Sequence, residues 1–129
     1  MIVIDSSAMV EALTGREANE DLLDALQGSI HAPHLLDVEV LSTLRGLVLG
    51  GKLPTEEADE ARADYLALRI TRYETRGIAG RVWELRGDFA AYDASYLALA
   101  EALEAPLYTC DRKLTEGGHD ADVRVLPRI

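Results

Sequence analysis

Short continuous apolar runs alternate with amphipathic helical stretches along the whole chain, and this alternation restricts the fold more than any other feature. Ile2, Val3 and Ile4 form an apolar run stopped by Asp5, long enough only for a buried strand. Further strand-like runs occupy residues 29–32, ended by Pro33, then 68–73, interrupted by Arg69 and Arg72, then 107–109 and 123–126. Helical patterns fill the gaps. Ser6 and Ser7 suit the cap of a helix over 8–13 that Gly15 closes. Residues 19–26 place Leu22, Leu23 and Leu26 on one side, with Gly28 as the stop. Over 36–49, Val40, Leu41, Leu44, Leu47 and Val48 recur at helical spacing until Gly50 and Gly51 end the pattern. Pro54 and Thr55 open another helix, and 78–85 and 90–103 supply two more. The connections are too long for hairpins, and crossovers between parallel strands are right-handed. The expected fold is a three-layer α/β/α sandwich around a parallel sheet of about five strands.

At 129 residues and 48% hydrophobic content, the chain is expected to be one domain over 1–129 with a substantial core. The single cysteine, Cys110, excludes an internal disulfide framework. Asp5 interrupts the apolar stretch that a secretory signal would need, and no run reaches the roughly 18 residues of a membrane span. A cytoplasmic location without membrane contact is expected. The net charge of −10 argues against holding nucleic acid by bulk charge, unless something bound cancels part of it.

Open parallel sheets bind ligands outside the carboxyl ends of their strands, so polar residues just after strands are the ones to inspect. Asp5 follows the first strand, and Asp111 lies two residues beyond Thr109. Glu39 falls in the early turns of the helix after the second strand. Asp93 heads the stripe Leu97, Ala100, Leu103, which places it on the inward face of its helix. Two carboxylates about 5 Å apart repel by roughly 3 kcal/mol at an effective dielectric near 20. Four converging acids therefore need protons or a cation, and an all-oxygen set without Cys or His selects Mg²⁺ or Mn²⁺ over zinc. Such a centre suits metal-assisted phosphodiester hydrolysis. The competing reading is that these acids are helix caps and surface ion-pair partners, because Asp and Glu fill 23 of 129 positions.

The segments MIVIDSSAMV, YDASYLALAEAL and LYTCDRKL, with a helical glutamate between them, together resemble the PIN-domain ribonucleases, and most closely the VapC-type toxins of toxin–antitoxin pairs. The resemblance implies a five-stranded parallel sheet with helices on both sides and a Mg²⁺-dependent endoribonuclease. It assigns the metal site and catalysis to Asp5, Glu39, Asp93 and Asp111, and nearby hydroxyls to Ser7 and Thr109. Asp37 is two residues from Glu39, which turns it about 160° away around a helix. A homodimer and a small antitoxin blocking the acidic pocket are also implied.

Other patterns compete with these. Gly46, Gly51 and Lys52 imitate a P-loop, but Leu53 stands where Ser or Thr is required and a helix precedes the segment. His31, His34 and His119 are too few for a zinc site and read as ordinary polar residues. Cys110 reads as packing at a strand end. Arg62, Arg69, Arg72, Arg76, Arg81 and Arg86 concentrate positive charge, either in surface pairs or as an RNA rim. In the second reading Arg76 and Arg81 track phosphates, with Arg112 and Lys113 beside the metal. Tyr92 and Tyr96 flank Asp93 and read as core, with base stacking as the alternative. Two other functional classes fit a leading Asp. Phosphoryl transfer on a dehalogenase-like sheet needs an acid where Ser7 stands, and a receiver-like sheet needs a lysine near the last strand. An inactive PIN-like binding module would lack one of the four acids, and none is lacking.

Overall fold

The structure, a computed structural model, describes residues 1–17 and 19–127. The last two positions of the expected domain therefore lie outside the described residues. Five strands run β1 (Ile2–Ile4), β2 (Ile30–Pro33), β3 (Ile70–Tyr73), β4 (Leu107–Thr109) and β5 (Val123–Val125). Among the described residues six α-helices separate them: α1 (Ser6–Thr14), α2 (Glu20–Ala25), α3 (Leu35–Leu49), α4 (Thr55–Ala67), α5 (Ala79–Glu84) and α6 (Ala91–Leu103). The sheet order is β3-β2-β1-β4-β5, and every pairing is parallel. The three-layer α/β/α expectation holds.

Right-handed crossovers put α1, α3 and α4 on one face and α5 and α6 on the other, because the chain steps outward from β1 to β3 and then returns to β4. β1 is buried throughout, which is why its sequence is apolar without alternation. The strongest helix is α6, buried continuously from Ala94 to Ala100 by small and apolar side chains that pack closely on the sheet. Among the described residues no helix is long and apolar enough to cross a membrane.

Several local expectations change. Asp5, not Ser6 or Ser7, caps α1: its side chain accepts from the Ala8 N–H. Pro33 ends β2 from within, as its last residue opposite Tyr73, a strand-end position where no N–H is needed. Leu23 is 42% exposed, because α2 is under two turns long and buries only Leu22. The helix expected over 78–85 is shorter, and Leu85–Gly87 tightens into a 3-10 turn. Tyr92 is 66% exposed, since it stands in the first turn of α6 before the helix meets the core.

Candidate metal centre

The chain order reverses between β1 and β4, which lie side by side at the middle of the sheet. A crevice forms beyond the carboxyl ends of strands at such a switch point. Asp5 leaves β1 there and Asp111 leaves β4. Both α3, which follows β2 directly, and α6, which runs back toward β4, begin at this end of the sheet. Glu39 in the second turn of α3 and Asp93 in the first turn of α6 are therefore delivered to the same place.

Asp5 is 7% exposed and held by three neutral donors. Ser7 Oγ donates to its Oδ1 at 2.7 Å, the Ala8 N–H donates to the same oxygen at 3.0 Å, and Thr109 Oγ1 donates to Oδ2. The two hydroxyls also stitch the strand ends together. Ser7 Oγ accepts from the Cys110 N–H at 2.9 Å, and Thr109 Oγ1 accepts from the Asp111 N–H at 3.0 Å. Asp111 caps the 3-10 turn Arg112–Thr115 by accepting from the Lys113 N–H. Glu39 is half-buried, and its Oε1 accepts from the Tyr96 hydroxyl at 2.5 Å.

Burial pushes the Asp5 carboxyl above its ordinary range despite those donors, and Asp111 adds to the effect. Glu39 is raised by burial, then by Asp5 and Asp93, against the Tyr96 hydrogen bond. Asp93 is raised by burial, then by Asp111 and Asp5, with Lys113 opposing. These mutual effects tie all four acids into one group of like charges.

What sets this group apart is that none of its acids is in an ion pair among the described residues. Asp37 is gripped by Arg72 and Glu101 by Arg81, and both carboxyls are held below their ordinary range, chiefly by those guanidinium hydrogen bonds. Among the described residues no ion pair reaches Asp5, Glu39, Asp93 or Asp111. The cap reading of the sequence holds for Asp5 and Asp111, but the ion-pair reading fails for all four. No three His, Cys, Asp or Glu side chains among the described residues close to direct metal-ligation distance. Mg²⁺ keeps several waters and takes few carboxylates directly, so an open all-oxygen group of this kind suits its chemistry.

The cations are distributed differently from the rim expected. Arg112 and Lys113 are exposed beside Asp111. Arg76 is exposed in the 3-10 turn after β3, the edge strand on the far side of β2. Arg81 is not at the site: it donates to Glu101, Glu84 and the Gly118 carbonyl. Glu101 is eight residues along α6 from Asp93, about 12 Å of helix. Asp37 indeed points away from Glu39, toward Arg72 and Tyr65. His31 hydrogen-bonds Tyr73 and Ser29, and His119 the Leu114 carbonyl, so both are structural. Tyr96 is the site residue that sequence reasoning missed as such. Its position three residues after Asp93 puts it on the same side of α6, which is the only signal the sequence carried.

Residues 2–119 match the model of the PIN domain. Ribonuclease VapC9 of Mycobacterium tuberculosis is 40% identical over 129 residues, spanning 99% of this chain and 100% of the relative. PAE2754 from Pyrobaculum aerophilum shares the fold with a TM-score of 0.65 at 20% identity, over 88% of this chain and 81% of that one. VapC20 of Mycobacterium tuberculosis, a sarcin–ricin-loop-cleaving toxin, aligns with a TM-score of 0.63 at 14% identity, over 93% and 97% of the two chains.

Proposed function

The chain belongs to the PIN-domain family, and on that premise we propose that it is a Mg²⁺-dependent endoribonuclease, the toxin of a toxin–antitoxin pair. The observation that carries the reading is the group of four acids at the switch point, three of them with raised proton affinity and none in an ion pair among the described residues. Uncompensated charge of this kind is expensive to keep in a folded protein unless a cation completes it. The name of the VapC9 relative, a ribonuclease, supports RNA as the substrate.

In this reading Asp5, Asp93 and Asp111 hold the metal, and Glu39 completes the group directly or through water. Mg²⁺, or Mn²⁺ in its place, supplies when bound a lowered proton affinity for water and a counter-charge for the phosphodiester. The protein's own contribution is positional. Ser7, Thr109 and the Ala8 N–H fix both oxygens of Asp5, and the Tyr96 hydroxyl fixes Glu39, all without neutralising either acid. Arg112 and Lys113 draw the RNA backbone toward an otherwise acidic molecule. The reading includes a cytoplasmic homodimer in which each chain is a single nuclease domain over 1–129. It also includes a small antitoxin that silences the enzyme by presenting a basic side chain to the acids.

The test is cleavage of total cellular RNA by purified, antitoxin-free protein with Mg²⁺ or Mn²⁺, with EDTA, and with the Asp5→Ala variant. Discrete fragments that require both the metal and Asp5 are expected. Full cleavage by folded Asp5→Ala protein, or cleavage indifferent to EDTA, would overturn the proposal.

A further inference from the structure

Four arginines among the described residues are already engaged. Arg72, Arg81 and Arg124 are in ion pairs, and Arg86 lies 4.7 Å from the centre of the Trp83 ring. Arg16 and Lys52 are not. Both are exposed, and neither side chain has an ion pair or hydrogen bond among the described residues. Both line a cleft of about 450 Å³ between α1 and α3, just past the C-terminal ends of those helices.

The other end of that cleft comes up beside the acidic site, although none of the four acids lines it. Its α1 wall starts at Ser6 and Ser7, the latter bonded to Asp5, and runs to Thr14, about 12 Å along the helix. Its α3 wall carries Thr43 and Leu47, one and two turns beyond Glu39 on the same side of the helix. Both walls therefore begin beside acids of the site and lead away from it. Hydroxyls line the polar parts, while Val10, Leu47 and Leu53 make an apolar floor. One acid, Glu11, shares the cleft, its carboxylate folded against Gly15. At about 450 Å³ the cleft has room for a short stretch of single strand and not for a paired helix.

Cations and hydroxyl donors along a groove are the chemistry by which proteins track the phosphates of a single strand, and with no aromatic side chain in its lining this cleft offers grip on the backbone and not on the bases. In a chain of net charge −10 such cations matter, because the bulk field repels RNA. Arg112 and Lys113 stand beyond Asp111, next to the site. We propose that the α1–α3 cleft carries an unpaired stretch of RNA on one side of the scissile phosphate, with Lys52 and Arg16 taking its backbone phosphates. This rests on the ribonuclease reading, and it gives Lys52 a role that the dismissed P-loop pattern did not.

The test uses the full chain carrying Asp5→Asn, so that RNA is bound without being cut. A fluorescein-labelled single-stranded RNA is titrated by anisotropy at several salt concentrations. Lys52→Gln with Arg16→Gln should weaken binding about tenfold and reduce the log–log salt slope by about 1.4, at roughly 0.7 for each phosphate no longer neutralised. Arg62→Gln, exposed on α4 in a separate hollow against α3, should change neither. An unchanged affinity and slope in the double variant would overturn the proposal while leaving the ribonuclease reading standing. An equal effect from Arg62→Gln would overturn it too, since the cleft would then add nothing to general charge. Failure of the parent protein to bind RNA at all would overturn both.

Discussion

Replacing Tyr96 with phenylalanine removes one oxygen atom from the centre of the acidic group. The side chain is 2% exposed, so the ring stays packed and no cavity larger than a hydroxyl opens. What goes is the 2.5 Å donation to Glu39. Hydrogen bonds to charged groups contribute about 1.5–3 kcal/mol. Glu39 is only half-buried, so water recovers part of the loss, and the lower end, about 1.5 kcal/mol, applies. For a domain of this size that lowers Tm by about 5 °C. The informative comparison is a double-mutant cycle with Glu39→Ala by urea denaturation. Glu39→Ala alone leaves the buried Tyr96 hydroxyl unsatisfied. Adding Tyr96→Phe then relieves that group, so its cost in the alanine background should be near zero and the coupling about 1.5 kcal/mol. A positioning role also predicts that Tyr96→Phe weakens Mn²⁺ binding about tenfold, the lower end for residues that orient metal ligands. Additivity of the two substitutions within about 0.5 kcal/mol, with Mn²⁺ affinity unchanged, would refute the reasoning.

The raised acids make a second prediction about pH. Their folded pKa values lie above the unfolded ones, so the stability they contribute is full below about pH 4 and is lost as pH rises through the raised values. Asp37 and Glu101 act oppositely, contributing above the unfolded range and losing it as pH falls through their lowered values. In EDTA, the Tm of Asp5→Asn relative to the native chain should therefore rise as pH increases above the ordinary carboxyl range; a flat or falling difference would contradict the burial argument. Arg72→Ala removes a two-pronged grip on Asp37 and should cost about 1–2 kcal/mol in urea unfolding, discounted because both partners are about a third exposed. Gly117 has φ +90°, and a Cβ there would lie 2.6 Å from the Phe89 ring. Gly117→Ala should cost about 1–3 kcal/mol, read as a lower urea midpoint.

The parts of the fold legible from sequence are those set by local pattern. β1 and β4 could be read because uninterrupted apolar runs meet polar stops, and α6 because its buried stripe is long. Single 3-10 turns at 75–77, 85–87 and 112–115 were not legible, since one turn has no period to detect. The site shows the same division. Asp5 and Asp111 could be placed from strand ends, and the opposite facing of Asp37 and Glu39 followed from helical geometry. The partners across elements could not be read from local pattern: Tyr96 on Glu39 and Arg72 on Asp37 had no signal, and Thr109 beside Asp5 came only through the family resemblance. Arg81 misled for that reason, because its distance from the acids depends on how α5 packs along α6. Asp5 also shows that a cap and a site acid need not be alternatives. Its Oδ1 caps α1, and the residue remains part of an unneutralised group.

The most direct measurement of the proposed metal centre is calorimetric titration of Mn²⁺ into the metal-free chain and into Asp5→Asn, Glu39→Gln, Asp93→Asn and Asp111→Asn. Glu57→Gln, on the exposed first turn of α4, serves as the control. A metal centre built on these acids predicts a Mn²⁺ site in the native chain that survives in the control and is weakened at least about tenfold in Asp5→Asn and Asp93→Asn. Equal Mn²⁺ binding by the native chain and those two variants would contradict it.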